Sequence, residues 1–352
     1  MSYNKFDFVQ RIFEIILICS IALIVSNNFF YGFDIYLINS HYTIEEYFLI
    51  KNNIYLANNS FPSGVEYYQY SILPLFYNLV NIFVNNFLHT QSIITFIEIL
   101  FFYFSINFFL KNFFGWNLKL KYKILIIFSV IFTEFLFVNL SMLRLPLYEG
   151  LHYQFSLSFG LFSIVYLKKE NNNNLFIFSI LNIILSILFH PMIGIYFFIT
   201  SCIFIFYSKK IYLIKFFLLV PFVIGVWFAI NQNCDLVNCF VEKINYDEYR
   251  KFTSFFSNHQ LSINKINLFL NHSIIPLILV LIILNYIIKF ELEGNIHLKN
   301  LAKTLEIIIY LSFIFTLAPL TEIYFLNITR LYGVSLISVL FFPILIFHIF
   351  FN

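Results

Sequence analysis

Apolar runs of close to bilayer length recur along the whole chain, and no other feature limits its folding choices so tightly. A helix needs about 20 mostly apolar residues to cross a membrane. Such runs stand at roughly 12–30, 91–110, 124–142, 153–167, 175–190, 192–207, 211–230, 273–289, 305–320 and 328–350. Composition points the same way: 61% of the 352 residues are hydrophobic and 11% charged, against roughly 45–50% and 25% in a soluble domain. A water-soluble fold could not cover that much apolar surface. The expected fold is an all-α, polytopic integral membrane bundle of about 10–11 transmembrane helices, built as one domain over 1–352. Much of the excess is 51 Phe and 24 Tyr beside many Ile, Asn and Lys, a mix that A/T-rich codons favour whatever the function.

Lysines predict how the helices are oriented, because short loops rich in Lys and Arg stay cytoplasmic. Four short loops are rich in them: Lys111, Lys119, Lys121 and Lys123; Lys168 and Lys169; Lys209, Lys210 and Lys215; Lys289, Lys299 and Lys303. They alternate with poorer loops at 143–152, around His190, at 231–272 and at 321–327, which are expected to face outward. The outer loop 31–68 carries Asp34, Glu45, Glu46 and Glu66 against a single Lys51, and its stretch 43–57 has the spacing of an interfacial helix. A second outer loop, 231–272, has mixed charges, with Asp247, Glu248, Arg250 and Lys251 close together, and suits a short amphipathic helix or a solvated cap. The run 70–87 contains Pro74, Asn78, Asn81, Asn85 and Asn86. If it spanned, every later helix would invert and the lysine loops would lie outside, so it is expected not to span.

Several function classes lose support at this stage. A net charge of +3 with no basic run interleaved with aromatics makes nucleic acid an unexpected partner. Phosphate-cradling loops, zinc-protease motifs and nucleophile elbows are absent. Of the four cysteines, Cys19 and Cys202 sit in apolar runs and read as small hydrophobes; Cys234 and Cys239 share a polar loop that suits a local disulfide on an oxidising side.

The candidate chemistry gathers at outer helix ends. Asp34 follows Gly32 just beyond the first run, where a carboxylate can serve as a general base, hold a metal ion, or merely be solvated. Between two apolar runs, RLPLYEGLHYQ brings together Arg144, Glu149, His152 and Gln154. There Arg144 suits a phosphate and Glu149 or His152 a proton transfer; the plain alternative is a polar turn with an internal ion pair. His190 precedes Pro191 where the chain must turn, and either faces the same outer pocket or only satisfies freed backbone groups. Arg330 stands near the outer start of the last run, eight residues after Glu322, and either pairs with it or holds a lipid phosphate. Glu98 and Glu134 lie inside apolar runs, suited to an ion path or to core pairing.

An acid soon after the first membrane helix, a long outer loop with an interfacial helix, and many following spans together resemble the GT-C superfamily of polyprenyl-phosphate-sugar glycosyltransferases. The resemblance rests on GFD at 32–34, the 43–57 helix, and HYQFSLSFGLFSIVYLKK followed by ILFHPMIG. The last pair is also similar to O-antigen and exopolysaccharide polymerases. The resemblance implies a polyprenyl-phosphate-linked sugar as partner beside the lipid bilayer, in cell-envelope glycan synthesis at the outer face of a bacterial cytoplasmic membrane. It implies Asp34 as base or ligand of a divalent metal ion, with His152 and Glu149 available for catalysis. Arg144, Gln154, His190 and Arg330 then lie toward the lipid phosphate. The competing class is a transporter or flippase for a lipid-linked saccharide or small solute, which would favour internal repeats and charges at the midplane; no repeat is visible, and Glu134 is the residue that favours it. A noncatalytic membrane scaffold would leave the outer polar group unexplained.

Overall fold

A computed structural model describes residues 5–27, 71–85, 87–115, 122–123, 153–168, 173–208, 210–230, 278–286 and 296–315, with scattered positions between 334 and 347. The fold is all-α, and no strand occurs among the described residues. The helices are α1 (Lys5–Asn27), α2 (Leu73–Val84), α3 (Phe87–Phe109), α4 (Tyr153–Lys168), α5 (Asn173–Phe189), α6 (Pro191–Ser208), α7 (Lys210–Ile230) and α8 (Ile296–Phe315). Among the described residues, Ser92–Phe114 and Pro191–Ser208 are long and apolar enough to cross a membrane. Leu73–Val84, Asn174–Phe189 and Tyr212–Val226 are shorter apolar helical stretches.

Helices α1 and α3, and likewise α4 and α5, run antiparallel, and polar side chains fix their register. Ser92 at the start of α3 donates to the carbonyl of Ser26 at the end of α1 (2.9 Å). At the other end of the pair, Glu14 accepts from Tyr103 and forms an ion pair with Lys123 (3.1 Å). Helices α4 and α5 are joined by two hydroxyl contacts, Ser163 to Ser179 (2.7 Å) and Ser156 to Ser186 (2.9 Å). Small side chains on both helices let the backbones approach closely, which is how helices associate when no hydrophobic driving force separates them from their surroundings.

Helix α2 has 12 residues and rises about 18 Å, well short of the hydrocarbon thickness of about 30 Å. Pro74 suits its first turn, where the missing N–H costs nothing. Asn85 ends it at φ 50°, a left-handed position asparagine tolerates, and its N–H donates to the Asn81 carbonyl (2.8 Å). The chain then doubles back into α3, and Thr90 donates to the Asn81 side chain (3.0 Å). Residues 71–85 therefore form a short arm folded against α3, with Tyr77 and Leu73 packed on Ile94 and Phe155.

Past α3 the helix widens into a π-turn over Leu110–Phe114 that Gly115 closes at φ 75°. Lys168, at the end of α4, donates to the carbonyls of Asn112 and Phe113 and lies 5.3 Å over the Phe113 ring. A cation here neutralises the negative end of a helix. Lys111 on the π-turn, Lys168 at the end of α4, and Lys303 of α8 beside Tyr207 at the end of α6 thus share one end of the bundle.

The connection between α5 and α6 is a single residue, His190. It is possible because Gly194 lies against Ile187: a Cβ there would fall 2.3 Å from the Ile187 Cα. Gly160 on α4 makes room for the Phe197 ring in the same way, with a Cβ 2.2 Å from Phe197 Cγ. The core is apolar, but it also takes in hydroxyls, and many apolar side chains are left at the surface. Serines and threonines such as Ser156, Ser163, Ser179, Thr200 and Thr304 are buried, while Phe8, Phe83, Ile214 and Phe222 are exposed.

Candidate functional site

At the end opposite those lysines, the polar groups of α3, α4, α5 and α6 meet in one buried cluster. It starts from the N-terminus of α4, whose first N–H groups have no partner inside their own helix. Glu98, buried in the wall of α3, supplies one: its carboxylate accepts from the Gln154 N–H at 2.9 Å. The contact places negative charge at the positive end of α4. Glu98 therefore has a partner at the start of α4.

Two residues on, Ser156 donates to the Ser186 carbonyl (2.8 Å), and Ser186 donates in return to the Ser156 carbonyl (2.8 Å). Ser156 also lies 3.5 Å from the His190 carbonyl, which links the start of α4 to the α5–α6 turn. His190 is buried, and its Nδ1 accepts from the Ile193 N–H at 3.3 Å, capping the first turn of α6. An Nδ1 that accepts puts the proton of a neutral imidazole on Nε2. Satisfaction of freed backbone groups, one of the two readings of His190, is therefore present. The start of α2 closes the cluster: Ser71 donates to the Phe189 carbonyl (3.0 Å), and the Ile72 N–H donates to the Leu188 carbonyl (2.9 Å).

Beneath the cluster, Phe155 stacks on Phe189 with ring centroids 4.9 Å apart, and Phe159 stacks on Phe189 at 5.5 Å. Phe76 of α2 meets Phe155 edge to face (5.7 Å). These rings pack the start of α2 against α4 and α5 beside the polar layer. Thr95, one turn before Glu98, is buried with no hydrogen-bond partner for its hydroxyl. A buried hydroxyl left in that state costs free energy, so its environment favours any ligand that brings an acceptor or donor.

Of the residues picked out in the sequence, Glu98, Gln154 and His190 are brought together in this cluster. Asp34, Arg144, Glu149, His152 and Arg330 lie outside the described residues, as do Glu134, Glu322, Cys234, Cys239 and the stretch 43–57. Ser71, Ser156, Ser186 and Thr95 were missed, since lone hydroxyls in apolar runs carry no sequence pattern of their own. Among the described residues no three His, Cys, Asp or Glu side chains gather as a metal site. No family model, curated protein or solved structure matches this chain.

Proposed function

We propose that the chain is a multi-pass membrane protein of about ten helices, resident in a bacterial cytoplasmic membrane, which transfers or polymerises polyprenyl-phosphate-linked sugars at the face away from its lysines. The observation that supports this most is the segregation of polar groups. Lysines collect at one end of the bundle, whereas Glu98, Gln154, Ser156, Ser186 and His190 form a buried layer at the other. Exposed apolar side chains between the two ends suit contact with lipid, and short loops rich in lysine suit the cytoplasm. The outer face is then the polar one.

In this reading the headgroup of a lipid-linked sugar enters at the polar layer while its chain stays in the bilayer. Asp34 acts as base or metal ligand, Glu149 or His152 moves a proton, and Arg144 and Arg330 neutralise the departing phosphate. His190, with Nδ1 committed to the α6 cap, sits in the polar layer that the lipid phosphate would approach. The test compares lipid-linked and surface glycans in cells with and without the gene, and with Asp34→Asn and Arg144→Ala. Loss of a glycan species in the deletion and in both variants, at normal protein levels, is expected. Unchanged glycans, or full activity in both variants, would overturn the proposal.

Transport of a lipid-linked saccharide or a small solute is the second reading, and Glu98 is the observation that favours it. A buried carboxylate within an apolar helix is costly and commonly lies on an ion or proton path. Proton-coupled uptake abolished by Glu98→Gln, with surface glycans unaffected, would select it.

A further inference from the structure

Hydroxyls on the helices of this chain repeatedly satisfy themselves on their own backbone. Ser20, Ser158, Thr200, Ser208 and Thr304 each donate to the carbonyl four residues earlier, the bond open to any serine or threonine in a helix among apolar groups. Thr95 does not. Its hydroxyl is buried in α3 with no hydrogen-bond partner, although the Gln91 carbonyl stands four residues back on an unbroken helix. Leaving that bond unmade costs free energy. Ser201 of α6 shares the lack, but the residues three and four away from it, Phe197, Phe198, Phe204 and Ile205, are all apolar.

Thr95 instead has an anion beside it. Glu98 follows by three residues on the same helix face, which sets the two Cβ atoms about 5–6 Å apart. A long helical side chain leans back over the turn before its own Cα, so the carboxylate is carried toward the level of Thr95. Both residues are buried, Glu98 at 3% and Thr95 at 6% exposure. The carboxylate accepts from the Gln154 N–H at 2.9 Å. A helix N-terminus is equivalent to about half a positive charge, so that contact alone does not neutralise it. A carboxylate and an unsatisfied hydroxyl on one buried turn complement a small, hard cation, which takes oxygen ligands. One carboxylate balances one charge, whereas a divalent ion would be left undercompensated away from water. Among the described residues no three His, Cys, Asp or Glu side chains gather to hold such an ion.

We infer that Thr95 Oγ1 and the Glu98 carboxylate bind a monovalent cation of the size of sodium in the wall of α3. The Gln154 N–H holds the carboxylate in place, as hydrogen bonds commonly do for ligating carboxylates. The inference rests on neither functional reading above, because ion binding is measured without turnover. To the transport reading it adds a metal ion beside the proton.

The test is thermal unfolding of the purified full chain in detergent, in sodium chloride and in choline chloride at equal ionic strength. An ion that binds only the folded chain raises Tm with the logarithm of its concentration. Sodium should therefore raise Tm by about 2–4 °C for each tenfold increase once binding is near saturation. Thr95→Val keeps the branched shape and removes the hydroxyl. The sodium increment should vanish in it, while Tm in choline holds or rises because an orphaned hydroxyl has gone. Glu98→Gln keeps an acceptor for the Gln154 N–H, so it should unfold near the parent chain in choline and also lose the increment. Thr95→Ser restores the hydroxyl and should restore the increment. Equal unfolding of the parent chain in the two salts, or an increment that survives Thr95→Val or Glu98→Gln, overturns the site. Glycan analysis tests the proposed function and salt-dependent unfolding tests the ion site, so each can fail alone.

Discussion

The two glycines under the His190 turn show how far one atom can matter. A Cβ at Gly160 would meet the ring of Phe197, whereas one at Gly194 would meet the backbone of Ile187. A ring can shift; a helix backbone cannot without moving α5. Gly160→Ala is thus expected to cost about 1–3 kcal/mol, an overpacking penalty, and to be partly rescued by Phe197→Leu. Gly194→Ala should cost more and find no such rescue. Gly225 on α7 has nothing within 4 Å of its missing Cβ, and alanine there should stabilise by about 0.5–1 kcal/mol through helix propensity. Thermal unfolding of the purified protein in detergent reads all four variants. Glu98 obeys the same logic with charge in place of volume. Glu98→Gln keeps an acceptor for the Gln154 N–H, while Glu98→Ala leaves that N–H buried and unpartnered at a cost of about 1–3 kcal/mol. If Gln were as damaging to stability as Ala, the cap would not be what the carboxylate supplies.

At the scale of elements, the sequence was most legible where apolar length alone decides the outcome. The runs read at 153–167, 175–190, 192–207 and 211–230 emerge as α4 to α7 with ends shifted by only a residue or two. It was least legible where a helix continues into polar residues. Helix α1 starts at Lys5 and α8 at Ile296, well before their apolar runs, because Lys, Arg and Glu are good helix formers and hydropathy does not register them. The α4–α5 pairing was not legible at all: Ser156 and Ser186 lie thirty residues apart, and only the antiparallel packing of two helices makes them neighbours. A double-mutant cycle of Ser156→Ala and Ser186→Ala should give a coupling of about 0.6 kcal/mol, at most about 1.7, as for hydroxyl pairs between membrane helices. The arm α2 depends on its turn: Asn85→Val would place a β-branched residue at φ 50°, and proteolysis between α2 and α3 should quicken accordingly.

Over the whole molecule, the two ends of α3 give the most direct check of orientation. Asn85, just before it, and Lys111, just after it, are both exposed. In a chain whose four cysteines are replaced by serine, Asn85→Cys should react with an impermeant maleimide from outside intact cells, and Lys111→Cys only after the membrane is opened. Reaction of both from the same side would mean that α3 does not cross. The candidate site divides along the same line. Gln154 and His190 were visible as polar residues opening or closing apolar runs, while the hydroxyls that tie them together depend on which helices become neighbours.

The one-residue link at His190 has a mechanical consequence. A loop of several residues would absorb a local push, but here α5 and α6 issue from the same point, and Gly194 presses one against the other. They behave as two arms of a lever with His190 at the fulcrum. Each arm is about 25 Å long, so a tilt of a few degrees at the imidazole becomes a displacement of an ångström or more at Ser208 and Asn173. A shift of the buried His190 would therefore be carried into both helices.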